Sequence, residues 1–371
     1  MNLFEQLELK EHEQIVFCSD TKARLRVIIA IHNTTLGPAL GGARMWTYSS
    51  DADALSDALR LSRGMTYKAA VAGLNLGGGK AVIIADPNND KSEALFRTYG
   101  RFVEGLAGRY ITAEDVGTSV QDMELVRMET KYVTGLDRAL GGGGDPSPVT
   151  AFGVYHGMKA AMNELSGSDS LKGKTIAVQG TGHVASYLCD HLAKEGAKLF
   201  VTDIYEKKAK AVVERTKAKY VPPDKIYSVD ADIFCPCALG AILNDKTIPR
   251  LKAAIVAGGA NNQLADEKKN GAMLMKRGIL YAPDYAINAG GLMSVASELE
   301  GHPHERAMKQ AESIYDTISK IFQIAKKQKI FTFEASNRLA EERIAQIGHI
   351  RKLYAGKSEF DGHLANIKNG K

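Results

Sequence analysis

Apolar and polar positions along this chain switch between a period of two and a period of about 3.6, which predicts strands interleaved with helices. Residues 13–18 and 25–32 read as two strands parted by a polar turn. Residues 51–72 carry Leu55, Leu59 and Leu61 among alanines at helical spacing, with Gly64 inside the pattern. Residues 80–86 hold the apolar run Ala81–Ala85 of a buried strand, 91–107 a helix, and 109–113 a strand ending at Glu114 and Asp115. Thr118, with Gln121 three positions on, opens a helix over 118–128 in the manner of a capping box. Residues 1–12 read as a short helix. Residues 36–45 read as a loop from their Gly and Pro content. Residues 73–79 read as a turn, because three consecutive glycines suit neither helix nor strand on propensity.

The strongest break is Gly141-Gly142-Gly143-Gly144-Asp145-Pro146-Ser147-Pro148, flexible chain meeting rigid chain, and it predicts an inter-domain hinge. Beyond it come a helix over 147–165, a strand over 174–179, a helix over 186–195, a strand over 198–202 and a helix over 206–219. Short strands follow near 232–235, 253–257 and 278–281. That alternation predicts an α/β protein with a parallel, doubly wound sheet. Residues 305–350 are helical in pattern, and 351–371 form a basic end.

Composition narrows the function classes. In 371 residues, 44% are hydrophobic and 25% charged, enough to bury a large core. The net charge of +5 is spread among acids, which gives no case for nucleic acid or a membrane surface as partner. There is no apolar run of about 18 residues to span a bilayer. The first residues lack a basic stretch followed by an apolar core, so no secretory signal is expected. Of Cys18, Cys189, Cys235 and Cys237, only the last two are close, and their spacing suits neither a redox pair nor a zinc knuckle. Reduced thiols in a cytoplasmic protein, with no metal, are the expectation.

Two stretches carry chemistry. Lys80 follows the Gly77–Gly79 run, where bare backbone lets a small ligand approach, and Lys68 lies shortly upstream. Mutual repulsion and burial would lower both lysines toward the range useful to a general base; the alternative is a surface turn with two solvated lysines. Gly180-x-Gly182-x-x-Ala185 follows a predicted strand and opens a helix, the context required of a dinucleotide fingerprint. Gly180 serves the tight turn, Gly182 the approach of pyrophosphate to the helix N-terminus, and Ala185 the helix–strand packing. Asp203 closes the next strand, near the ~20-residue distance of a ribose-binding acid, and favours NAD over NADP. His183 reads as a cap or solvent group.

Together, Met65–Lys68, Gly73–Lys80, Thr112–Thr118, Ser147–Ala151, Gly180–Ala185 and Gly259–Gln263 resemble the amino-acid dehydrogenase superfamily of glutamate, leucine, phenylalanine and valine dehydrogenases. The resemblance runs over nearly the whole chain in order and stands nearest the leucine branch. It implies a substrate-binding and oligomerising α/β domain over 1–145, with 336–371 packing back on it. A Rossmann-type NAD-binding domain would span 146–335, with the active site in the cleft between. It implies Lys80 as the base that activates water, Lys68 as the anchor of the substrate carboxylate, and Asp115 as hydrogen-bond partner and proton shuttle of the amino group. Gly41, Gly42 and Met65 would border the substrate. Thr150, Asn261 and Asn262 would sit near the nicotinamide, Cys237 and Ala238 beside the cofactor, and Thr181, His183 and Val184 in its loop. The pattern departs at Ala69 and His183, where relatives usually have Asn.

Leu40 stands where the glutamate members place a lysine, and with Ala113, Leu292 and Val295 it would make an apolar side-chain pocket. A distal carboxylate there would lack a partner, at a cost of several kcal/mol. The expected reaction is reversible oxidative deamination of a branched-chain L-amino acid, leucine foremost, to the 2-oxo acid and ammonia by a homo-oligomer. A phenylalanine or valine dehydrogenase, or a non-catalytic NAD-binding sensor, are the alternatives.

Overall fold

The computed structural model describes residues 11–301 and 304–350. The expected helix over 1–12 and the basic end over 351–371 lie almost wholly outside the described residues. The chain forms two domains, each built around its own sheet. The first sheet contains β1 (Gln14–Asp20), β2 (Leu25–Asn33), β3 (Ala39–Trp46), β4 (Gly77–Ile84) and β5 (Tyr110–Glu114), in the order β1-β2-β4-β3-β5. β1, β2 and β4 pair antiparallel, whereas β4, β3 and β5 run parallel. The second sheet contains β6 (Thr175–Gln179), β7 (Lys198–Thr202), β8 (Lys219–Tyr220), β9 (Ile233–Pro236), β10 (Ile255–Val256) and β11 (Leu280–Tyr281). Its order, β11-β10-β9-β6-β7-β8, is parallel throughout. The order reverses between β6 and β9, the switch point where doubly wound sheets bind ligands.

The main departure from the sequence reading lies in the first sheet. The glycine run Gly77–Gly79 is no turn, and the stretch from Ala39 is no loop: both lie in strands, β4 and β3, at the centre of the sheet. A propensity argument fails here because the environment forbids any side chain. A Cβ on Gly78 would sit on the backbone nitrogen of Thr66, and one on Gly41 on the carbonyl of Gly79. One on Gly79 would lie 2.6 Å from the Tyr110 ring. The glycines thus let the Asp51–Val71 helix and the neighbouring strand close onto β4. Lys80 lies inside this strand, not at its mouth.

Asp51–Val71 forms one unbroken helix across Gly64, capped by Ser50. The helix Val120–Arg127 starts two residues later than expected, its cap displaced by one. Its capping box is Ser119 with Asp122, while the Thr118 hydroxyl receives the Asp115 N–H and donates to the Ala43 carbonyl. The His183–Glu195 helix begins three residues earlier than read, directly from Gly182. Helices Glu267–Lys276, Asp284–Ile287 and Gly290–Leu299, not foreseen individually, complete the second domain. The Thr332–Ile350 helix returns to the first domain: Arg343 donates to the carbonyls of Gly73 and Leu74, and Tyr67 donates to Glu341. Among the described residues, no helix is long and apolar enough to cross a membrane.

These packing distances generate a paired prediction. Gly78→Ala forces overlap with backbone and should destabilise the fold by about 3 kcal/mol. Gly64→Ala, in a helix with open space around it, should stabilise it by about 0.5–1 kcal/mol. Thermal melts of the two variants check this; equal melting temperatures would contradict the close-packing argument.

Candidate active site

Side chains alternate across β4, so Lys80 shares a face with Gly78, beneath the Asp51–Val71 helix that carries Lys68. Lys80 is only 5% exposed. Its Nζ lies 2.7 Å from Asp115 Oδ2. Asp115 follows β5 and crosses β3 where Gly42 offers no side chain; a Cβ there would come 2.8 Å from that of Asp115. The same Oδ2 receives Arg44 Nε at 3.0 Å. Burial lowers the Lys80 pKa, Asp115 pulls it upward, and the Arg44 charge adds to the lowering. Burial would raise the Asp115 carboxyl, but the Lys80 and Arg44 charges hold it below its ordinary value.

Lys68 donates to Asn288 Oδ1 at 2.6 Å. Asn288 in turn donates to Asn261 Oδ1 at 2.7 Å and to the Gly259 carbonyl at 3.1 Å, tying Lys68 to the loop after β10. Burial, with help from the Lys80 charge and against the pull of Asp284, lowers Lys68 to about 8. Asp284 is buried and receives the N–H groups of Gln263 and Tyr285; burial raises its carboxyl nonetheless. Ala69 is packed in the core, so the polar support of Lys68 comes from Asn288 on the other domain.

These groups line an interdomain cleft of about 820 Å³, with Arg44, Arg60, Met65, Lys68, Lys80, Asp115, Asn261, Asn262 and Asp284 in its wall. Leu40, Gly41, Gly42, Ala113, Thr150, Leu292 and Val295 are not part of that wall. Leu40 and Leu292 are buried in one apolar cluster, with Val295 packed against it. Ala113 pairs with Gly42 in the sheet. Thr150 lies in the first turn of the Ser147–Ser166 helix, against Gly290 and Gly291. Sequence reading passed over Arg44, Asn288 and Asp284. Arg44 had a faint signal, a charge in an apolar, glycine-rich stretch, but Asp284 opens and Asn288 caps one four-residue helix, too short for periodicity to mark them.

At the switch point, Gly180 has φ +93°, and a Cβ there would lie 2.8 Å from that of Ala238. No side chain caps the His183–Glu195 helix, and a Cβ on Gly182 would meet nothing within 4 Å. The first-turn N–H groups therefore face open space, the arrangement that binds phosphate. Ala185 is buried beneath them. Val184 and Cys237 pack around Gly259, whose N–H points at Cys237 Sγ, 3.4 Å away. His183 is exposed, its Nδ1 3.9 Å from Asp145 Oδ2. Asp203 receives the Thr181 N–H at 2.8 Å and the Tyr205 N–H at 2.9 Å. Burial would raise its carboxyl, and these amides more than offset that.

Residues 12–132 match the family model "Glu/Leu/Phe/Val dehydrogenase, dimerisation domain", and 141–203 with 199–351 match "Glutamate/Leucine/Phenylalanine/Valine dehydrogenase". The chain belongs to the Glu/Leu/Phe/Val dehydrogenase family. It is an amino-acid dehydrogenase of that family by its relatives also. It is 60% identical to the leucine dehydrogenase of Thermoactinomyces intermedius over 100% of both chains. It is 60% identical to that of Geobacillus stearothermophilus over 95% of this chain and 96% of the relative. The crystal structure of L-tryptophan dehydrogenase from Nostoc punctiforme superposes with a TM-score of 0.84 at 50% identity, covering 93% of this chain and 99% of that one. The hetero-hexameric glutamate dehydrogenase from Thermus thermophilus shares the fold, with a TM-score of 0.75 at 23% identity over 92% of this chain and 91% of that one.

In this dehydrogenase, Asn288 is the polar contact that holds Lys68 in the cleft. If Lys68 anchors the substrate carboxylate, as the resemblance implies, Asn288→Ala should raise the amino-acid KM about tenfold, the size of a lost charge-assisted hydrogen bond. Steady-state kinetics on a variant with an unaltered melting temperature checks this; an unchanged KM would contradict it.

Proposed function

We propose that this dehydrogenase oxidises a branched-chain L-amino acid, leucine foremost, with NAD, giving the 2-oxo acid and ammonia. The observation that carries the reading is the pair of lysines with lowered pKa values in one cleft, Lys80 bonded to Asp115 at 2.7 Å. Names of the relatives at 60% identity support leucine as substrate. In this reading the substrate side chain would point toward Leu40, Ala113, Leu292 and Val295, which lie outside the wall of the open cleft. None of them carries a charge to meet a distal carboxylate, and leaving one unpaired would cost several kcal/mol.

The cofactor fits the residues present. The uncapped N-terminus at Gly182 would take the pyrophosphate, and Asp203 the adenosine ribose, with Thr181, His183, Val184, Ala238 and Cys237 around them. A 2′-phosphate would meet the negative charge of Asp203, which favours NAD over NADP. Thr150, Asn261 and Asn262 would lie toward the nicotinamide, whose chemistry when bound is to accept hydride from the substrate Cα. Lys68 holds the α-carboxylate by charge. Asp115 accepts a hydrogen bond from the substrate amino group. Once Cα is oxidised to the iminium, Lys80 as free amine removes a proton from the water that attacks that carbon. Asp115, which takes a proton from the substrate ammonium before the hydride leaves, returns it to the amine of the water adduct, and ammonia departs as the hydroxyl proton passes to the vacated carboxylate. Closure of the cleft would exclude bulk water from these transfers.

We also infer that the division between the domains falls at 141–146 and that the Thr332–Ile350 helix belongs with the first. The molecule works as a cytoplasmic homo-oligomer in this reading. β1 is an edge strand with Phe17 half exposed, a surface that a second copy would cover.

The test is NAD and NADP reduction with leucine, valine, isoleucine, phenylalanine, glutamate and alanine. Leucine with NAD should give the highest kcat/KM, with overlap among aliphatic substrates because one methylene is worth only ~1–3 kcal/mol. Lys80→Ala should abolish turnover while NAD still binds, whereas Lys68→Ala should act mainly on the amino-acid KM. Glutamate as best substrate, equal use of NADP, or full activity of Lys80→Ala would each contradict a named part of the reading, and the last would favour a non-catalytic NAD sensor.

A further inference from the structure

Arg44 does not end at Asp115. Its Nη1 lies 2.9 Å from Asp57 Oδ2. The same oxygen receives the Tyr48 hydroxyl at 2.7 Å, and the other, Oδ1, receives Arg60 Nη2 at 2.7 Å. The Asp57 carboxylate thus takes three donors from three places: β3, the loop after it, and its own helix. Its side chain is 16% exposed. Burial would raise its carboxyl, and the Tyr48, Arg60 and Arg44 contacts keep it ionised. Arg60 then reaches across the cleft, its Nη1 3.4 Å from Asn262 Oδ1. Asn262 itself sits at φ +50°, a strained conformation in the loop after β10. The charges alternate from one wall to the other: Lys80, Asp115, Arg44, Asp57, Arg60, then the Asn262 amide.

We propose that Asp57 is a positioning residue which, by holding Arg44 and Arg60 on one carboxylate, fixes Asp115 beside Lys80 and ties that pair to the Asn262 loop on the opposite domain. The proposal rests on the functional reading above for the roles of Lys80 and Asp115. Arg44 alone has freedom to rotate away from Asp115; with Nη1 pinned to Asp57, its Nε is aimed at Asp115 Oδ2. Because Asp57 also binds the arm that touches Asn262, the carboxylate cluster and the cofactor-side loop share one anchor. Asp57 further contributes negative charge that favours the protonated form of Lys80. The other charged groups facing this network are Arg63 and Lys68 on the same helix, and Asp266, Glu267, Lys268 and Asp284 across the cleft, Glu267 in the field of Arg63 and Arg60.

Asp57→Asn, Asp57→Glu and Arg60→Gln, compared with wild type as full-length protein, test this. Asp57→Asn removes the charge but keeps the shape. It should lower kcat about tenfold through misplacement of Asp115 and move the acid limb of the activity–pH profile down by about half a unit. Asp57→Glu should restore most of the loss. Arg60→Gln should raise the KM for NAD about threefold, the size of a weak exposed contact, without moving the acid limb. A merely structural Asp57 would lower the melting temperature and leave the limb in place. A folded Asp57→Asn with wild-type kcat and an unmoved limb overturns the proposal. So does a wild-type KM for NAD in Arg60→Gln, which carries the test if Asp57→Asn fails to fold. A wild type without activity toward any amino acid is the failure of the functional reading instead. The positioning claim is then read from the pH dependence of amine labelling at Lys80, followed by peptide mass spectrometry. Its midpoint should fall in Asp57→Asn, and an equal midpoint overturns the claim.

Discussion

A lysine buried inside a central strand is the constraint to which the rest of the first domain answers. Lys80 is surrounded by β2, β3 and the Asp51–Val71 helix, and removing its charge from water disfavours the ammonium form. Asp115 opposes that with an ion pair at 2.7 Å, and Arg44 limits how far the opposition goes. The balance leaves Lys80 below an ordinary lysine while the Asp115 acid stays ionised next to it. Lys68 is lowered chiefly by burial, and its hydrogen bond crosses to Asn288 of the second domain. The two lysines are therefore held differently: one by its own sheet, the other across the cleft.

The glycines are the geometric side of the same constraint. Gly77–Gly79 and Gly41–Gly42 bring four strands and a helix to distances at which no side chain fits. That approach puts the backbone of β4 directly under the helix bearing Lys68, and lets Asp115 pass over β3 to Lys80. In the second domain, Gly180 does comparable work against Ala238, while Gly182 leaves the helix N-terminus open.

Much of the fold could be read from the chain because its elements carry periodic signals. The Asp51–Val71 helix, β6 with the following glycine turn, and β7 ending before Asp203 all emerged from spacing and context. β3 and the start of β4 did not. Their glycines follow from neighbours far along the chain, Thr66, Tyr110 and Glu114, and local propensity is silent on those. At the site, Lys80 and Lys68 stood out from the glycine-run stretch and Asp115 from the motif resemblance, and the three line one cleft. Arg44 and Asn288 act through partners far along the chain, Asp115 and Lys68, and Asp57 acts through Arg44, so apart from the lone charge of Arg44 in its glycine-rich stretch nothing singled them out. The same holds for the shift of the capping box from Thr118 to Ser119: Thr118 is engaged by Ala43, a residue on another strand.

The central claim is that burial makes Lys80 a base at working pH, and the pH dependence of kcat/KM for leucine oxidation tests it most directly. A base acts only once deprotonated, so the rate should rise as pH passes upward through the Lys80 pKa. The account predicts a rising limb whose midpoint lies clearly below the ordinary lysine value of about 10.4, and which is absent from any residual activity of Lys80→Ala. A limb centred at or above the ordinary lysine value, or one that persists unchanged in an active Lys80→Ala, would contradict it.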